Sequence, residues 1–343
     1  PDAISEFKVI TNNYSAEFGR GYGSIVLVQT KQGTNDLAGE LYGYFQDNQY
    51  ITRDATQVSL DHGKHHRRQF GATAGFPILT DRLFAYVNYD AIQDEGEVLT
   101  TRGVFLPSDL DPAKRQTRGD DTTANRAWQD SIIARFPSGP PNATNIASRG
   151  YQGFQSSNLP KRDLGARLDF NASSSNVLTA RYQRSHQENH PGELIRGEEA
   201  GQVNYQSSFG LTWTNVLSSN TVQEARVGIG TRQVAWTITD DPQTPVVRMS
   251  GGTGLTFTIL GNAGAFPIIR NQRDNQFVYN ITTARWTKHT LKAGLDVRRS
   301  SLDDRAENFN RGFWNFAATC QGVDYGTAIA AFWAGCVNSY TKS

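Results

Sequence analysis

The feature that most restricts the fold of this chain is the alternation of its connectors. Segments of about ten residues with apolar side chains at every second position recur throughout: Ala38–Gln46, Arg68–Phe76, Leu83–Ile92, Arg162–Asn171, Val177–Ser185, Tyr205–Val216, Val222–Trp236, Gln276–Trp286 and Thr290–Ser300, with Gly312–Ala318 as a last candidate. A period of two belongs to strands with two chemically different faces. The breaks Pro77–Arg82, Ala172–Asn176, Leu217–Thr221 and Thr287–His289 are short and turn-like. Between them fall long polar connectors: Asp47–Arg67, Gln93–Lys161, His186–Asn204, Thr237–Asn275 and Ser301–Arg311. Long and short alternate strictly, as they do in outer-membrane barrels with tight periplasmic turns and extended outer loops. A soluble sandwich has no reason to keep its long loops at one end.

The faces separate in the same sense. Leu164, Ala166, Leu168 and Phe170 oppose Gly165, Arg167, Asp169 and Asn171. Leu178, Ala180 and Tyr182 oppose Thr179, Arg181 and Gln183, and Leu291, Ala293, Leu295 and Val297 oppose Lys292, Gly294, Asp296 and Arg298. An arginine facing lipid at mid-membrane costs roughly 2–4 kcal/mol, so the charged face belongs to a wet interior. Arg167, Asp169, Arg181, Lys292, Asp296 and Arg298 are therefore the expected lumen-facing residues. Tyr42, Tyr44, Tyr89, Trp213, Trp236 and Trp286 lie near strand ends, where they serve either as interfacial belts or as cross-strand aromatics. Gln276–Trp286 sorts poorly, because Arg285 shares a face with Phe277, Tyr279 and Ile281.

Ahead of these strands stands a different unit. Ala3–Thr11 reads as a strand and Asn12–Phe18 as a turn into one helical turn, with Ser15 as cap and Gly19 as its end. Gly19-Arg20-Gly21-Tyr22-Gly23 then enters the apolar run Ile25–Val28, and Lys31-Gln32-Gly33-Thr34-Asn35 breaks it with turn residues. A phosphate cradle needs a strand before its glycines and a helix after them. Here a strand follows, and the glycines read as positions of close backbone approach.

Other chemistry is sparse. Cys320 and Cys336, the two cysteines of the chain, read either as a disulfide across an extracytoplasmic loop or as two buried thiols. His62, His65 and His66 form HGKHH, which is either a solvated polar loop or a weak divalent-metal candidate. No nucleophile motif, paired catalytic carboxylates or cofactor loop is present, so no enzyme and no cofactor is expected. A net charge of +1 with interleaved signs excludes a nucleic-acid tail. An apolar content of 37% with 32 glycines suits a β-rich protein with many turns. The longest apolar stretch, Ala328–Val337, falls short of the roughly 20 residues of a transmembrane helix. Within the long connector 93–161, Thr122–Phe136 reads as a helix capped by Asp121 or Thr122. It places Trp128, Ile132, Ile133 and Phe136 near one face, which suggests folding against a rim.

The stretch EFKVITNNYSAEFGRGYGSIVLVQTKQGTN, residues 6–35, resembles the end of the plug domain of TonB-dependent outer-membrane receptors of the Oar-like branch. Glu6, Phe7, Thr11–Asn13, Ser15–Glu17, Gly19, Arg20, Gly23, Thr30, Lys31 and Gly33–Asn35 carry the match; Tyr22, Leu27 and Gln29 depart from it mildly. Weaker likenesses follow in GELYGYFQDNQY, DRLFAYVNYDAI, IIARFPSGPPN and HTLKAGLDVRRSSLDD. The resemblance implies an all-β internal fragment: a plug end over residues 1–36, then a partial barrel of about ten strands over 37–343 from a wall of about 22. It makes Gly19, Arg20, Gly21, Gly23, Lys31 and Gly33 the plug motif. It implies a bacterial outer-membrane location and uptake of a scarce nutrient (an iron chelate, cobalamin, a glycan or a peptide). TonB–ExbB–ExbD would drive uptake through an N-terminal region absent from these residues, and the lipid bilayer is the other expected partner. A barrel-anchored adhesin or secretion factor without active transport is the alternative. A soluble β-rich binding domain is a third reading, which the apolar outer face opposes.

Overall fold

The computed structural model describes residues 3–11, 23–50, 63–111, 123–197, 200–238, 245–250, 267–286, 289–307 and 309–342. The Asn12–Phe18 turn, Gly19, Arg20, Gly21, His62 and the proposed caps Asp121 and Thr122 lie outside them. A hairpin comes first: β1 (Ile4–Ile10) pairs antiparallel with β2 (Ile25–Thr30). The wall then follows in chain order as β3 (Ala38–Asp47), β4 (His65–Leu79), β5 (Leu83–Gly103), β6 (Gly150–Asn158), β7 (Lys161–Ser173), β8 (Asn176–Pro191), β9 (Ala200–Ser218) and β10 (Thr221–Ile238). β11 (Val246–Ser250) leaves it, and β12 (Ile268–Trp286) and β13 (His289–Ala306) complete it.

The result is one ten-stranded antiparallel meander. β5 is long enough to pair with β7 along its lower half and β6 along its upper half, so β6 and β7 follow one path broken at Leu159-Pro160. Pro160 lacks the N–H that would continue the ladder. Among the described residues the sheet is open, with β3 and β13 at its edges; it is an incomplete β-barrel wall. Several strands run 15 to 21 residues, whereas about 9–11 cross a membrane. They therefore extend beyond any bilayer at the end that carries the long connectors.

Cross-strand register fixes the faces. The inner face carries rows such as Arg181–Gly210–Gly228–Gln276–Arg298 and Thr179–Thr212–Arg226–Val278–Asp296, read across β8, β9, β10, β12 and β13. The opposite face is stratified. Asn176–Asn215–Gln223 forms a polar base, joined by the Trp213 N–H to Asn176 at 3.1 Å and the Tyr279 hydroxyl to Gln223 at 2.7 Å. Above it lie Leu178–Trp213–Ala225–Tyr279–Leu295, then Ala180–Leu211–Val227–Phe277–Val297, then Tyr182–Phe209–Ile229–Asn275–Arg299, which is apolar on β8 to β10 and polar on β12 and β13. Higher again the row is Arg184–Ser207–Thr231–Arg273–Ser301. On β8 to β10 the apolar band is thus bounded by polar residues on both sides; on β12 and β13 it lies about one row lower, starting at Ile281–Ala293 and ending below Asn275–Arg299.

Three belt aromatics face inward instead. Tyr42, Tyr44 and Trp236 share the inner face by register. The Tyr42 ring fills the space left by Gly71, where a Cβ would meet it at 2.3 Å, and its hydroxyl donates to Asp90 at 2.7 Å. Arg270 stands 5.4 Å over Trp236. In both cases a polar partner across the strand outweighs the interface. Tyr89 and Trp213 face outward; the side chains of Arg285 and Trp286 lie outside the described residues.

The connectors build a second body. Gly312–Ala318 is not a wall strand: β14 (Phe313–Ala317) runs parallel to β11 and pairs on its other side with Ser339–Thr341. Val104, Phe105, Ile132, Phe136, Ile195, Val247, Met249, Phe316, Phe332 and Trp333 form one buried core drawn from three connectors and the C-terminal segment. The helix α1 (Thr123–Ile133) supplies Trp128 and Ile132 to it, with Phe136 following. A second helix, α2 (Ala328–Trp333), is capped by the Thr327 hydroxyl. Its last carbonyls, at Phe332 and Trp333, accept from buried Gln129 at 2.7 and 3.3 Å, which satisfies acceptors a helix end leaves open.

Candidate functional site at the junction of hairpin and wall

The residues that follow β2 run onto the inner face of the wall, and three contacts hold them there. The first is at Gly33, which is buried against β5; a Cβ there would lie 2.3 Å from the Ala85 carbonyl oxygen. Glycine alone lets the two backbones come this close. The second is at Asn35, whose amide donates to the Asp81 carboxylate at 2.6 Å and whose oxygen accepts from the Asp81 N–H at 2.8 Å. Asp81 has φ +62°, in the left-handed region that aspartate tolerates better than most residues. Asn35 thereby ties the exit from the hairpin to the tight turn between β4 and β5.

The third contact is Arg167. It is 8% exposed, and its guanidinium forks onto Asp169 through Nε at 2.7 Å and Nη2 at 2.9 Å. Nη1 donates to the Thr30 carbonyl at 2.6 Å, and Nη2 reaches Gln32 Oε1 at 3.2 Å. Thr179 donates to the second Asp169 oxygen at 2.8 Å. A planar guanidinium has donors enough to hold a carboxylate on one side and a backbone carbonyl on the other. The end of β2 is therefore fastened to β7 by one side chain.

The remaining residues singled out by sequence fall as follows. Register puts Arg167, Asp169, Arg181, Lys292, Asp296 and Arg298 on the same inner face. Arg298 forks onto Asp296, with Nη2 at 2.9 Å, and Gln276 donates to the same carboxylate. Gly23 and Lys31 belong to the hairpin region, and the Lys31 N–H closes onto the Ala3 carbonyl at 2.9 Å. His65 and His66 stand on a strand and point to opposite faces: His65 lies 3.2 Å from Asp94 and His66 2.7 Å from Asp47. They are not brought together, and the described residues hold no cluster of three metal-ligating side chains. Cys320 and Cys336 are disulfide-bonded beside the α2 core, with Cα atoms 6.1 Å apart. Thr30 and Asn35 were singled out in the sequence only as part of the resemblance, without a contact role, and Asp81 and Ala85 were missed. The visible signals were an Asn closing the GTN turn and an Asp in the Thr80–Arg82 turn, both residues that bond backbone groups.

A long antiparallel meander with an apolar band outside, charges inside and tight turns at one end defines an outer-membrane β-barrel protein. The sequence model of the family described as "Outer membrane beta barrel domain" matches residues 29–343. The chain belongs to that family and sits in the bacterial outer membrane. A curated relative, the TonB-dependent transporter Oar of Myxococcus xanthus, is 23% identical over 186 residues. That match covers 46% of this chain and 18% of the relative, so the chain spans less than a fifth of its length. The crystal structure of the Pseudomonas putida toluene transporter TodX aligns over 78% of both chains at 9% identity, with a TM-score of 0.21.

Proposed function

We propose that this chain is part of a TonB-dependent receptor that takes up a scarce nutrient across the outer membrane. In this reading residues 1–36 are the end of the plug, and residues 37–343 are the first part of the barrel with its extracellular cap. The inner face lines the lumen, and the cap meets the substrate first. The junction carries the proposal. A barrel that only anchors a surface protein has no need to fasten a hairpin to its inner wall through Arg167, Gly33 and Asn35. A transporter does, because its plug must stay seated until energy input moves it. The likeness to the TonB-dependent transporter Oar of Myxococcus xanthus supports this reading.

Energy would come from TonB–ExbB–ExbD acting on an N-terminal region beyond these residues. No catalytic step or cofactor is part of the proposal, and the substrate class stays open among iron chelates, cobalamin, glycans and peptides. Uptake measured in the source bacterium, with and without TonB, tests the reading. Loss of receptor-dependent uptake on TonB deletion is expected. Uptake or surface adhesion that persists unchanged points to the adhesin or secretion alternative.

A further inference from the structure

We propose that the inner face of β8 and β9, on the side of Arg181 that leads to the long connectors, binds a neutral oligosaccharide as the substrate. The inference rests on the proposed uptake function for its premise that the inner face is the substrate's path. Three consecutive cross-strand pairs carry it: Ser185–Gln206, Gln187–Asn204 and Asn189–Gln202. All six side chains are amides or hydroxyls, and register puts them on the face of Arg181 and Gly210. Gln187 and Gln206 are exposed, and the other four are half-buried. The Asn204 oxygen accepts from Arg232 Nε at 3.5 Å; among the described residues the other five side chains make no hydrogen bond. Their donors and acceptors are open to a ligand.

Chemistry selects that ligand. An amide offers a donor and an acceptor side by side, and a hydroxyl offers both on one atom. A sugar chain presents the same two functions along its whole length, so neither partner leaves a polar group unpaired. Cross-strand neighbours stand about 4.8 Å apart and successive pairs about 6.6 Å, so the three pairs span about 13 Å along the strands. An anion would call for a surplus of cations. On the bordering strands Arg232 and Arg270 are matched on the same face by Asp274 and Asp304, and Arg270 is tied to Asp304 at 3.0 Å. An extended peptide joins a sheet at an edge, through main-chain bonds, whereas β8 and β9 are interior strands. Trp236, half-buried and in register with Gln202, adds a flat apolar surface for the C–H face of a sugar ring. Nearer the tight turns the same face is built of ion pairs, Arg167–Asp169, Arg226–Glu224 and Arg298–Asp296. The amide pairs form a separate stretch of it.

The test presents the full-length protein in nanodiscs to an array of neutral oligosaccharides: α- and β-linked glucans, xylans, mannans and chitin fragments. The parent should retain at least one class, and a short oligomer of that class then serves in calorimetric titration. Gln187→Ala/Gln206→Ala should weaken its binding about tenfold or more, the factor that two ordinary hydrogen bonds carry together. Ser207→Ala/Thr231→Ala, on the opposite face of the wall, should leave binding unchanged. Ferric citrate and hexa-alanine should not compete. Retention of no neutral glycan overturns the proposal, as does a Gln187/Gln206 double variant that binds like the parent. So does competition by ferric citrate or hexa-alanine equal to that of the free oligosaccharide. Binding is read without TonB, so its failure leaves the transport reading standing, and uptake that ignores TonB leaves the sugar site standing.

Discussion

Removing Arg167 separates two jobs that one side chain performs. Arg167→Ala takes away both the fork on Asp169 and the donor to Thr30, and leaves a carboxylate that is itself 8% exposed with Thr179 as its remaining hydrogen-bond donor. Breaking a buried pair from one side costs about 3–5 kcal/mol. Arg167→Ala/Asp169→Ala removes the stranded charge as well, so most of that loss should return. The tie to Thr30 stays broken in both variants. A hydrogen bond from a charged donor contributes about 1.5–3 kcal/mol, which corresponds to roughly 10- to 150-fold in a local opening equilibrium. Hydrogen exchange of the amides over residues 28–33 in the full-length protein reads that opening. We expect it to accelerate within this range in both variants, while denaturant stability of the wall falls strongly only in the single one. Arg167→Lys keeps a charge beside Asp169 but has no planar fork, so it should preserve stability better than alanine and still speed exchange. Gly33→Ala strikes the same junction from the other side, where the new Cβ meets the Ala85 backbone; about 1–3 kcal/mol of overpacking should loosen the same amides. Exchange that is unchanged in the double variant would refute the fastening role and leave Arg167 a purely structural residue of the wall.

The cap should behave as a unit of its own. Phe332→Ala, at a fully buried core position, should cost the cap about 3–5 kcal/mol and expose it to protease while the wall stays folded. Replacing both cysteines, which are 16 residues apart, should have a similar local effect of about 3 kcal/mol, seen as earlier cleavage around α2. Glu188 lies 12 residues up β8 from Asn176, beyond the length a membrane covers. The hydrogen bond from His190, with the charges of His186 and Arg162, holds its carboxyl below the ordinary value of 4.5. A depressed carboxyl stabilises above its unfolded value, and that contribution is lost as the pH falls through the folded one. The melting gap between the parent and Glu188→Gln should therefore be present near neutral pH and close on acidification below the carboxylate range. A gap independent of pH would show that the ion pair contributes nothing.

The wall was legible in the sequence because two independent signals coincide there: a period of two and a strict order of connector lengths. Every wall strand core but one was placed, yet most ends were drawn short; β6 (Gly150–Asn158) fell inside the expected connector Gln93–Lys161, because its glycines and polar residues show no period of two. Val177–Ser185 is in fact Asn176–Pro191, and Leu83–Ile92 continues to Gly103. The apolar signal stops where the bilayer stops, while the ladder of backbone bonds continues through Arg184, His186 and Glu188 with polar residues on both faces. The same loss of contrast hid the cap. Its core joins Val104, Ile195, Val247, Phe316 and Phe332, residues up to 228 positions apart, and only the stripe on α1 announced it locally. Parallel pairing of Val246–Ser250 with Phe313–Ala317 has no local signature at all, which is why the latter stretch read as one more wall strand. Polar residues on a continued ladder therefore mark where this wall leaves the lipid. Substituting outward residues of β10 by tryptophan, one at a time, would locate the boundary by fluorescence quenching with membrane-embedded bromolipids. Quenching should be strong at Ile229, weaker at Thr231 and absent at Gln233. Strong quenching at Gln233 would move the bilayer upward along β10 and refute polar residues on the ladder as the mark of its edge.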